Sequence, residues 1–314
     1  MHVTAARLVQ HGQRLQIQDT EIPDPDGDEA VFRVVYSGVN PDDIYAARGH
    51  TEPDAPVPRT LGAEGAGTVD GRQVVAQGHG IGTARDGLWA TESVVPRAAL
   101  INIPDGVDMR AAAAMGVAGV TAWRAVTELA KVKADDRVLV LGASGGVGSI
   151  IVSIAKSIGA AVAGQTSNED NAEWIMERGA DQVMVTDAPT LAAATAHLRP
   201  TVVFDGLGGG FTGGAIEALR PRGRLVLFGT SAGPEGQVPL ESLYRKAVAV
   251  LGYAGMLDSD EAISAALRLA LEALAAGKFS VPIDSAMPLD QVNEAFDRIQ
   301  RRNVRGKVVL DATA

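Results

Sequence analysis

The sequence contains no cysteine among its 314 residues, and aromatic side chains make up only 4% of it. Without cysteine the chain can form no disulfide, supply no thiolate to a metal and use no cysteine nucleophile. A reducing compartment such as the cytoplasm is therefore the expected location. Because aromatic residues are scarce, the core must be built mainly from aliphatic side chains.

Basic residues are also few: 28 Lys and Arg face 38 Asp and Glu, which gives a formal net charge of -10. Binding along a phosphate backbone needs a basic face, so nucleic acid is not an expected partner. The N-terminus lacks the apolar core of a signal peptide. The most apolar window, Ala111 to Val120, is too short for a membrane span of about 20 residues. We therefore expect a small-molecule substrate and no membrane.

Two patterns follow one another along the chain. Up to about residue 110, short valine-rich runs alternate with Gly, Pro and Asp, which predicts a β-rich domain. After an Ala-rich helical segment, Ala111–Leu129, strand and helix candidates alternate, which predicts a parallel sheet covered on both faces. The tail adds two helices and a final strand that returns to the first domain. The six strands predicted for the sheet are Val138–Leu141, Ala161–Gly164, Gln182–Val185, Val202–Asp205, Leu225–Phe228 and Ala247–Leu251.

The first of these strands runs into a cluster of glycines, R-V-L-V-L-G-A-S-G-G-V-G-S, over Arg137–Ser149. A second apolar run follows, which predicts a buried strand that turns tightly into a helix. Glycines leave no side chain between the turn and a bound group, and the helix start offers free N–H donors and a positive dipole end. The pattern is typical of a pyrophosphate site, so we expect a dinucleotide cofactor. The residues expected to contact it here are Ser144, Gly145, Gly146 and Val147.

The end of the second predicted strand bears on the choice of cofactor. NAD sites usually end this strand with Asp or Glu, which bonds the ribose hydroxyls and repels a 2′-phosphate. Here Gln165, Thr166 and then Ser167 follow, and these neutral groups favour NADPH, with NADH left open. Glu169 and Asp170 are acidic and close, but Ser167 and Asp170 form a capping-box pattern that predicts the first turn of a helix. Thr166 and Ser167 are the expected ribose contacts.

Two later strands also end in glycines, in V-V-F-D-G-L-G (202–208) and L-V-L-F-G-T-S-A-G (225–233). A nicotinamide would lie at the carboxyl ends of the parallel strands, although a plain strand-to-loop turn would have the same pattern. The residues expected there as cofactor contacts are Gly206, Leu207, Phe228, Gly229 and Thr230.

Together with these motifs, five other segments resemble one family over nearly the whole length. The chain resembles the medium-chain dehydrogenases/reductases, in particular the zinc-free quinone oxidoreductases of the zeta-crystallin type. The further segments are S-G-V-N-P-D-D-I-Y (37–45), L-G-A-E-G-A-G-T-V (61–69), T-A-W-R-A-V (121–126), G-R-L-V-L-F-G (223–229) and G-K-V-V-L (306–310).

The resemblance implies an α/β fold in which a doubly wound parallel Rossmann sheet is inserted in a β-rich GroES-like substrate domain. The expected limits are 1–115 and 253–314 for the substrate domain and 116–252 for the Rossmann domain. It further implies a homodimer and NADPH-dependent reduction of quinones or α,β-unsaturated carbonyls. Lys307 is implied as a further cofactor contact, although a solvated strand end would explain it equally well.

The departures from the family are informative as well. Zinc alcohol dehydrogenases of this superfamily carry Cys where Asn40 stands and His where Ala63 stands, and the cysteine-rich structural-zinc lobe is missing too. The five histidines show no pair at ligand spacing. We therefore expect no zinc and no other metal. Without a strong Lewis acid, oxidation of simple alcohols is disfavoured relative to hydride addition to an electrophilic enone or quinone.

Asn40, Tyr45 and Thr121 are the expected catalytic residues. By the resemblance, Asn40 faces the nicotinamide, and its amide would donate to the developing oxyanion. Tyr45 would donate a hydrogen bond or a proton, or only line the pocket, and Thr121 would bond the carboxamide or pack in its helix. Asp43 is expected as a structural partner, and Glu64 as the partner of a nearby Arg.

Two other functions remain open at this point. One is the reduction of enoyl thioesters of CoA or of an acyl carrier protein. The related reductases place a proton-donating Tyr about where His50 or Thr51 falls, and that Tyr is absent here. The other is a protein that binds NADPH without catalysis. Asn171 stands near the position where many NADPH-binding members have Lys, which counts against NADPH.

Overall fold

The structure is a computed structural model that describes residues 1–50 and 55–314. Its contacts divide the chain into two compact units. We name them the split unit (Met1–Val120, Asp258–Ala276 and Val281–Ala314) and the central unit (Thr121–Leu257 and Gly277–Ser280). The domain limits drawn from the sequence stay predictions, and the short stretch Gly277–Ser280 belongs to the central unit by its contacts.

The split unit is a mainly antiparallel β structure. One sheet has the order β2-β1-β4, and the other has the order β15-β16-β3-β5-β6-β8, with β7 paired to β3. Its strands are β1 (His2–Leu8), β2 (Gln16–Glu21), β3 (Glu29–Val39), β4 (Arg59–Thr60), β5 (Glu64–Val69), β6 (Arg72–Gln77), β7 (Glu92–Pro96), β8 (Leu100–Asn102), β15 (Ile283–Pro288) and β16 (Lys307–Asp311). Its helices are α1 (Pro41–Ala47), α2 (Met109–Ala113), α9 (Asp260–Ala275) and α10 (Val292–Gln300).

The return of the tail to the first domain is built by β16, which pairs antiparallel with β3 through Val308–Val39 and Leu310–Ser37. The core beneath it is aliphatic, as the composition predicts, with one aromatic pair at its centre. Trp89 is fully buried, and its ring meets that of Phe296 edge-on, with the centroids 5.4 Å apart. The pairing of β16 with β3 brings Lys307, the first residue of β16, next to the end of β3.

The central unit is a six-stranded parallel sheet with the order β11-β10-β9-β12-β13-β14. This is the strand order of the doubly wound dinucleotide-binding fold, so the predicted fold class is confirmed. Its strands are β9 (Arg137–Val140), β10 (Ala161–Thr166), β11 (Gln182–Val185), β12 (Val202–Asp205), β13 (Arg224–Leu227) and β14 (Ala249–Gly252). Its helices are α3 (Val120–Arg124), α4 (Gly146–Ser157), α5 (Ala172–Glu177), α6 (Leu191–Thr195), α7 (Gly209–Ala218) and α8 (Leu240–Arg245).

The predicted helix over Ala111–Leu129 is interrupted. The chain passes from α2 through a π-helical turn, Met115–Gly119, into α3, and then through a second π-helical turn, Ala125–Leu129. Such turns are rare within helices, and those that do occur often lie at functional sites. No helix among residues 1–50 and 55–314 is long and apolar enough to cross a membrane.

Candidate functional site

The glycine-rich turn joins β9 to α4 in the central unit. Gly142 has a positive φ of 65°, a conformation that side chains with a Cβ rarely adopt. A Cβ at Gly148 would clash with the carbonyl oxygen of Gly142, so the helix packs against the turn at a distance that only glycine permits. Gly145 is the N-cap residue of α4. The turn therefore brings the backbone itself to the surface at the start of the helix.

The first amides of α4 are available as donors. The earliest backbone bond at this end is from Ser149 N to Gly145 O, at 3.0 Å, because the first N–H groups of a helix have no intrahelical acceptor. The N–H groups of Gly146, Val147 and Gly148 thus point out of the helix start, where the dipole is positive. This arrangement fits the paired phosphates of a dinucleotide.

Gln165, at the end of β10, differs from its sequence-based interpretation. It does not stand open beside a ribose, because its side chain is buried and fully bonded inside the unit. Its Oε1 accepts from the Gly142 N–H at 3.0 Å, and its Nε2 donates to the Thr186 carbonyl at 2.6 Å. Gln165 therefore holds the glycine-rich turn against the sheet through these two hydrogen bonds.

Three polar side chains do meet beside the turn. The amide of Asn171 donates to the Ser144 hydroxyl at 3.2 Å and to the Thr166 hydroxyl at 3.4 Å. Ser144 and Thr166, predicted from separate motifs, thus lie at one place, and Ser167 follows as an exposed residue. This group is where a nucleotide ribose would sit if the phosphates lie at the start of α4.

The capping pattern predicted for Ser167 is wrong by one residue. Asn168 is the cap, and its side chain accepts from the Asp170 N–H at 3.0 Å. Glu169 and Asp170 lie in the first, 3₁₀-helical turn that the cap begins, and both are exposed. The acidic pair thus belongs to a helix start, as the pattern predicted, even though a different side chain caps it.

The ends of β12 and β13 lie against the same turn. A Cβ on Gly142 would be 3.1 Å from Leu207 Cδ2, and one on Gly206 would be 2.7 Å from Phe228. Gly229 packs on the Gly206 carbonyl, and Gly208 lies against Thr230. The five residues predicted for the nicotinamide end are thereby brought together at the carboxyl edge of the sheet.

Asp205 shapes this edge, although no role was predicted for it. It is fully buried, and its Oδ1 accepts from the N–H groups of Leu207 and Gly208, both at 2.9 Å. Its Oδ2 accepts from the Thr212 hydroxyl at 2.7 Å. The sequence signal was an Asp directly before glycines. The side chain of such an Asp commonly accepts hydrogen bonds from the backbone N–H groups that follow it in the chain.

The split unit contains a buried polar cluster of Asn40, Glu64 and Lys307. Lys307 Nζ donates to Asn40 Oδ1 at 2.6 Å, to Glu64 Oε1 at 3.0 Å and to the Val39 carbonyl at 3.1 Å. Asn40 Nδ2 donates to Glu64 Oε1 at 2.8 Å. All three side chains are nearly inaccessible to solvent, at 4%, 0% and 3% exposure respectively.

Two expectations are corrected by this cluster. Glu64 pairs with Lys307 and not with an Arg, and Lys307 is not a solvated strand end. An ammonium has three N–H donors, and the three acceptors use all of them, which leaves none for a phosphate. The proximity of Lys307 to the cofactor, implied by the resemblance, stays a prediction.

Asp43 lies beside this cluster at the start of α1. Its Oδ2 accepts from the Asn40 backbone N–H at 2.8 Å, which caps the helix as expected of a structural partner. The pKa of its carboxyl is raised to about 7, mainly by burial and in part by Glu64 and Asp42, while the Asn40 N–H and the positive charge of Lys307 oppose the rise. Asp43 therefore changes charge close to neutral pH.

The other two predicted catalytic residues occupy different units. Tyr45 is half-buried in α1 of the split unit, and Thr121 is half-buried in α3, at the start of the central unit. Neither hydroxyl has a hydrogen-bond partner among residues 1–50 and 55–314. Thr51, one of the two positions compared with the tyrosine of thioester reductases, lies outside the described residues.

The family likeness raises the question of zinc. Among the residues that the structure describes, no three His, Cys, Asp or Glu side chains are grouped so that they could hold a metal ion. At Asn40, where zinc enzymes carry a ligand, the side-chain oxygens of Asn40 and Glu64 already accept hydrogen bonds from the Lys307 ammonium. The residues present therefore do not fit a catalytic zinc at this position.

Two family models match the chain. The model described as "Alcohol dehydrogenase GroES-like domain" matches residues 26–105, and the one described as "Zinc-binding dehydrogenase" matches residues 146–272. Together they span parts of both units, and the first lies wholly within the split unit.

Similar proteins cover almost the whole chain. The mouse quinone oxidoreductase-like protein 2 is 28% identical over 98% of this chain and 92% of its own. A mycobacterial protein solved in complex with NADPH is 26% identical, with a TM-score of 0.87 over 98% of this chain and 99% of its own. A quinone oxidoreductase of Pseudomonas syringae is 27% identical, with a TM-score of 0.85 over 99% of this chain and 100% of its own.

Proposed function

This chain belongs to the medium-chain dehydrogenase/reductase superfamily and is similar to its quinone-oxidoreductase-like members, and we propose that it is a zinc-independent, NADPH-dependent reductase of quinones or α,β-unsaturated carbonyls. The observation that carries the proposal is the turn from Gly142 to Gly148 at the head of a six-stranded parallel sheet, whose backbone amides would form a phosphate site. When bound, NADPH supplies a hydride to the reaction.

Several parts of the central unit would contact the cofactor. Gly146 and Val147 would donate their N–H groups to the pyrophosphate, and Ser144 and Thr166 would bond the adenosine ribose. The neutral side chains at the ribose support NADPH over NADH because no carboxylate of β10 faces a 2′-phosphate. The glycines that end β12 and β13 would let the nicotinamide approach the sheet edge.

The split unit would supply the polar groups for the substrate. Asn40 would donate an amide N–H to the carbonyl oxygen, on which negative charge develops as the conjugated system is reduced. Tyr45 would supply the proton that the reduced product needs, or line the site. Thr121 would orient the cofactor carboxamide.

The positive charge of Lys307, which lies next to Asn40, supports zinc independence. A metal ion bound there would have to replace Lys307, whose ammonium is held by three oxygen acceptors. A quinone or an enone needs less activation than an alcohol because it is already electrophilic. The proposed reaction is therefore one that this cluster can assist by hydrogen bonding alone.

Turnover by the purified protein tests the proposal. We expect NADPH oxidation with 1,4-benzoquinone, 9,10-phenanthrenequinone or a medium-chain enal, at a rate unchanged after dialysis against a chelator. Faster reduction of an enoyl-CoA would assign the chain to thioester reduction instead. Tight NADPH binding with none of these substrates reduced would indicate a non-catalytic protein, and activity that needs added zinc would refute the proposal.

The preference for NADPH has its own test. Ser167→Asp puts a negative charge on an exposed residue beside the predicted ribose site. We expect the Kd for NADPH, measured by fluorescence titration, to rise about tenfold through repulsion of the 2′-phosphate. NADH lacks that phosphate and serves as the internal control, so an equal loss for both nucleotides would contradict the assignment.

A further inference from the structure

Glu64 receives hydrogen bonds from three separate segments of the split unit. Its Oε1 accepts from Asn40 and Lys307, and its Oε2 accepts from the Val117 N–H in the first π-helical turn, at 2.7 Å. The fold makes room for it with glycine, because a Cβ at Gly38 would clash with Glu64 Oε1. Burying a carboxylate costs free energy unless each of its oxygens is hydrogen-bonded. Both oxygens of Glu64 are bonded, so the position of the side chain is tightly defined.

We propose that Glu64 and Lys307 are positioning residues that lock the Asn40 side-chain amide in one orientation and so make it a hydrogen-bond donor toward the substrate. The inference rests on the proposed reduction of a carbonyl compound and adds the reason why Asn40 assists it.

The lock follows from which atoms can donate. A lysine ammonium has no acceptor, so the amide atom that faces Lys307 must be Oδ1. An ionised carboxylate has no donor, so the atom that faces Glu64 must be Nδ2. Rotating the amide by 180° would set oxygen against carboxylate and NH₂ against ammonium. That rotation loses two charge-assisted hydrogen bonds, which are among the strongest that proteins form.

The locked amide has one N–H donor left to offer. Its oxygen is held by the ammonium at 2.6 Å, and one of its two Nδ2 hydrogens is held by Glu64 at 2.8 Å. The second Nδ2 hydrogen is the donor that remains for a ligand. A preorganised donor stabilises an oxygen that gains negative charge without any rearrangement at the moment of reaction.

Glu64→Gln tests the lock because glutamine keeps the size of the side chain but has a single oxygen, which cannot accept hydrogen bonds from both the Asn40 amide and the Val117 N–H. We expect kcat for quinone reduction to fall by roughly 10- to 100-fold. The Kd for NADPH should stay within about twofold, since no nucleotide contact is removed.

Ser37→Ala is the matched control. Ser37 is buried, and its hydroxyl donates to the backbone carbonyl of Glu64 at 2.7 Å. The control therefore breaks a buried hydrogen bond at the same residue without touching the Asn40 amide. We expect it to lower the melting temperature and to leave kcat unchanged.

The double variant Glu64→Gln/Lys307→Met removes both buried charges. It is a second test in case the single variant misfolds, because a buried ion pair can often be replaced by neutral groups without loss of stability. It should lose the same factor in kcat. Wild-type kcat in both the single and the double variant would overturn the inference.

A spectroscopic measurement separates this inference from the proposed function. With ¹⁵N-asparagine labelling, the Asn40 side-chain amide is assigned by its loss in Asn40→Ser. Its resonances should shift in Glu64→Gln and stay in place in Ser37→Ala. If the wild-type protein reduces no quinone or enone, the proposed function fails, while the amide resonances still decide whether Glu64 positions Asn40. Unshifted resonances in Glu64→Gln would overturn the lock itself.

Discussion

Gln165 accepts a hydrogen bond from the backbone N–H of Gly142 at 3.0 Å, so a buried side chain holds the turn that is proposed to bind the cofactor. The other end of the same amide donates to the Thr186 carbonyl at 2.6 Å. One residue thus fixes the distance between the glycine-rich turn and the end of the neighbouring strand.

Gln165→Glu should destabilise the protein because the new carboxylate loses the donor to Thr186 and is buried as a charge. We expect a loss of about 1–3 kcal/mol in the free energy of unfolding at pH 8, measured with urea. The loss should shrink toward pH 5, since a protonated carboxyl regains a donor. Gln182→Glu, at an exposed position of β11, is the control and should change stability by less than about 0.5 kcal/mol. A pH-independent loss would contradict this explanation.

Gly148→Ala should weaken nucleotide binding through the geometry of the turn alone. The added methyl group meets the Gly142 carbonyl, so α4 must move away and its first amides lose their alignment. We expect the Kd for NADPH to rise at least about tenfold, which is about 1.4 kcal/mol. Gly252→Ala adds the same group where no atom lies within 4 Å and should leave the Kd unchanged. Equal affinities of the two variants would refute the phosphate site.

Asp43 should make the stability of the protein fall as the pH rises toward neutral. Its folded-state pKa of about 7 lies above the ordinary value of 3.8, so between these values the folded state binds more protons than the unfolded state. The contribution is favourable below pH 4 and is lost as the pH passes 7. Asp43→Asn keeps an oxygen for the Asn40 N–H and removes the charge.

The variant should therefore gain stability relative to wild type as the pH rises from 4 to 8, by up to about 4 kcal/mol. Urea unfolding at several pH values measures it. The positive charge of Lys307 and the negative charges of Glu64 and Asp42 act on Asp43 in both directions, and they are present in the variant as well. A difference between variant and wild type that does not change with pH would contradict the shifted pKa.

The homodimer remains a prediction, and β14 is its proposed seam. This strand is one edge of the central sheet, with Val250 44% exposed and Leu240 and Tyr244 nearby in the chain and even more exposed. An exposed apolar edge strand tends to pair with another chain. Val250→Asp should convert a dimer to a monomer in size-exclusion chromatography with light scattering.

Val185→Asp is the matched control because Val185 is 47% exposed on β11, at the opposite edge of the same sheet. It should leave the dimer intact. Dissociation by the control and not by Val250→Asp would move the seam to the other edge, and a monomeric wild-type protein would refute the dimer.

Local patterns predicted the central sheet well because each strand is a short apolar run with turn residues at both ends. The predicted strands Gln182–Val185 and Val202–Asp205 coincide with the observed ones. The helix over Ala111–Leu129 was wrong in detail, since the alanine-rich composition does not reveal the two π-helical turns. The first of these turns is bonded through Val117 to Glu64, a residue far away in the chain, and such a contact is not visible in local composition.

The amino-acid sequence by itself determined the glycine-lined turn and the alternating strands and helices of the parallel sheet, because each follows from spacing among near neighbours. Only the tertiary structure decided which polar side chains are free to act. From the sequence, Gln165 was expected beside the ribose, Lys307 as a cofactor contact or a solvated strand end, and Glu64 as the partner of an Arg. All three are buried with their hydrogen-bonding atoms engaged with other residues. The partner of a polar group is chosen by the folded chain, since burying it without one costs more free energy than most other contacts return.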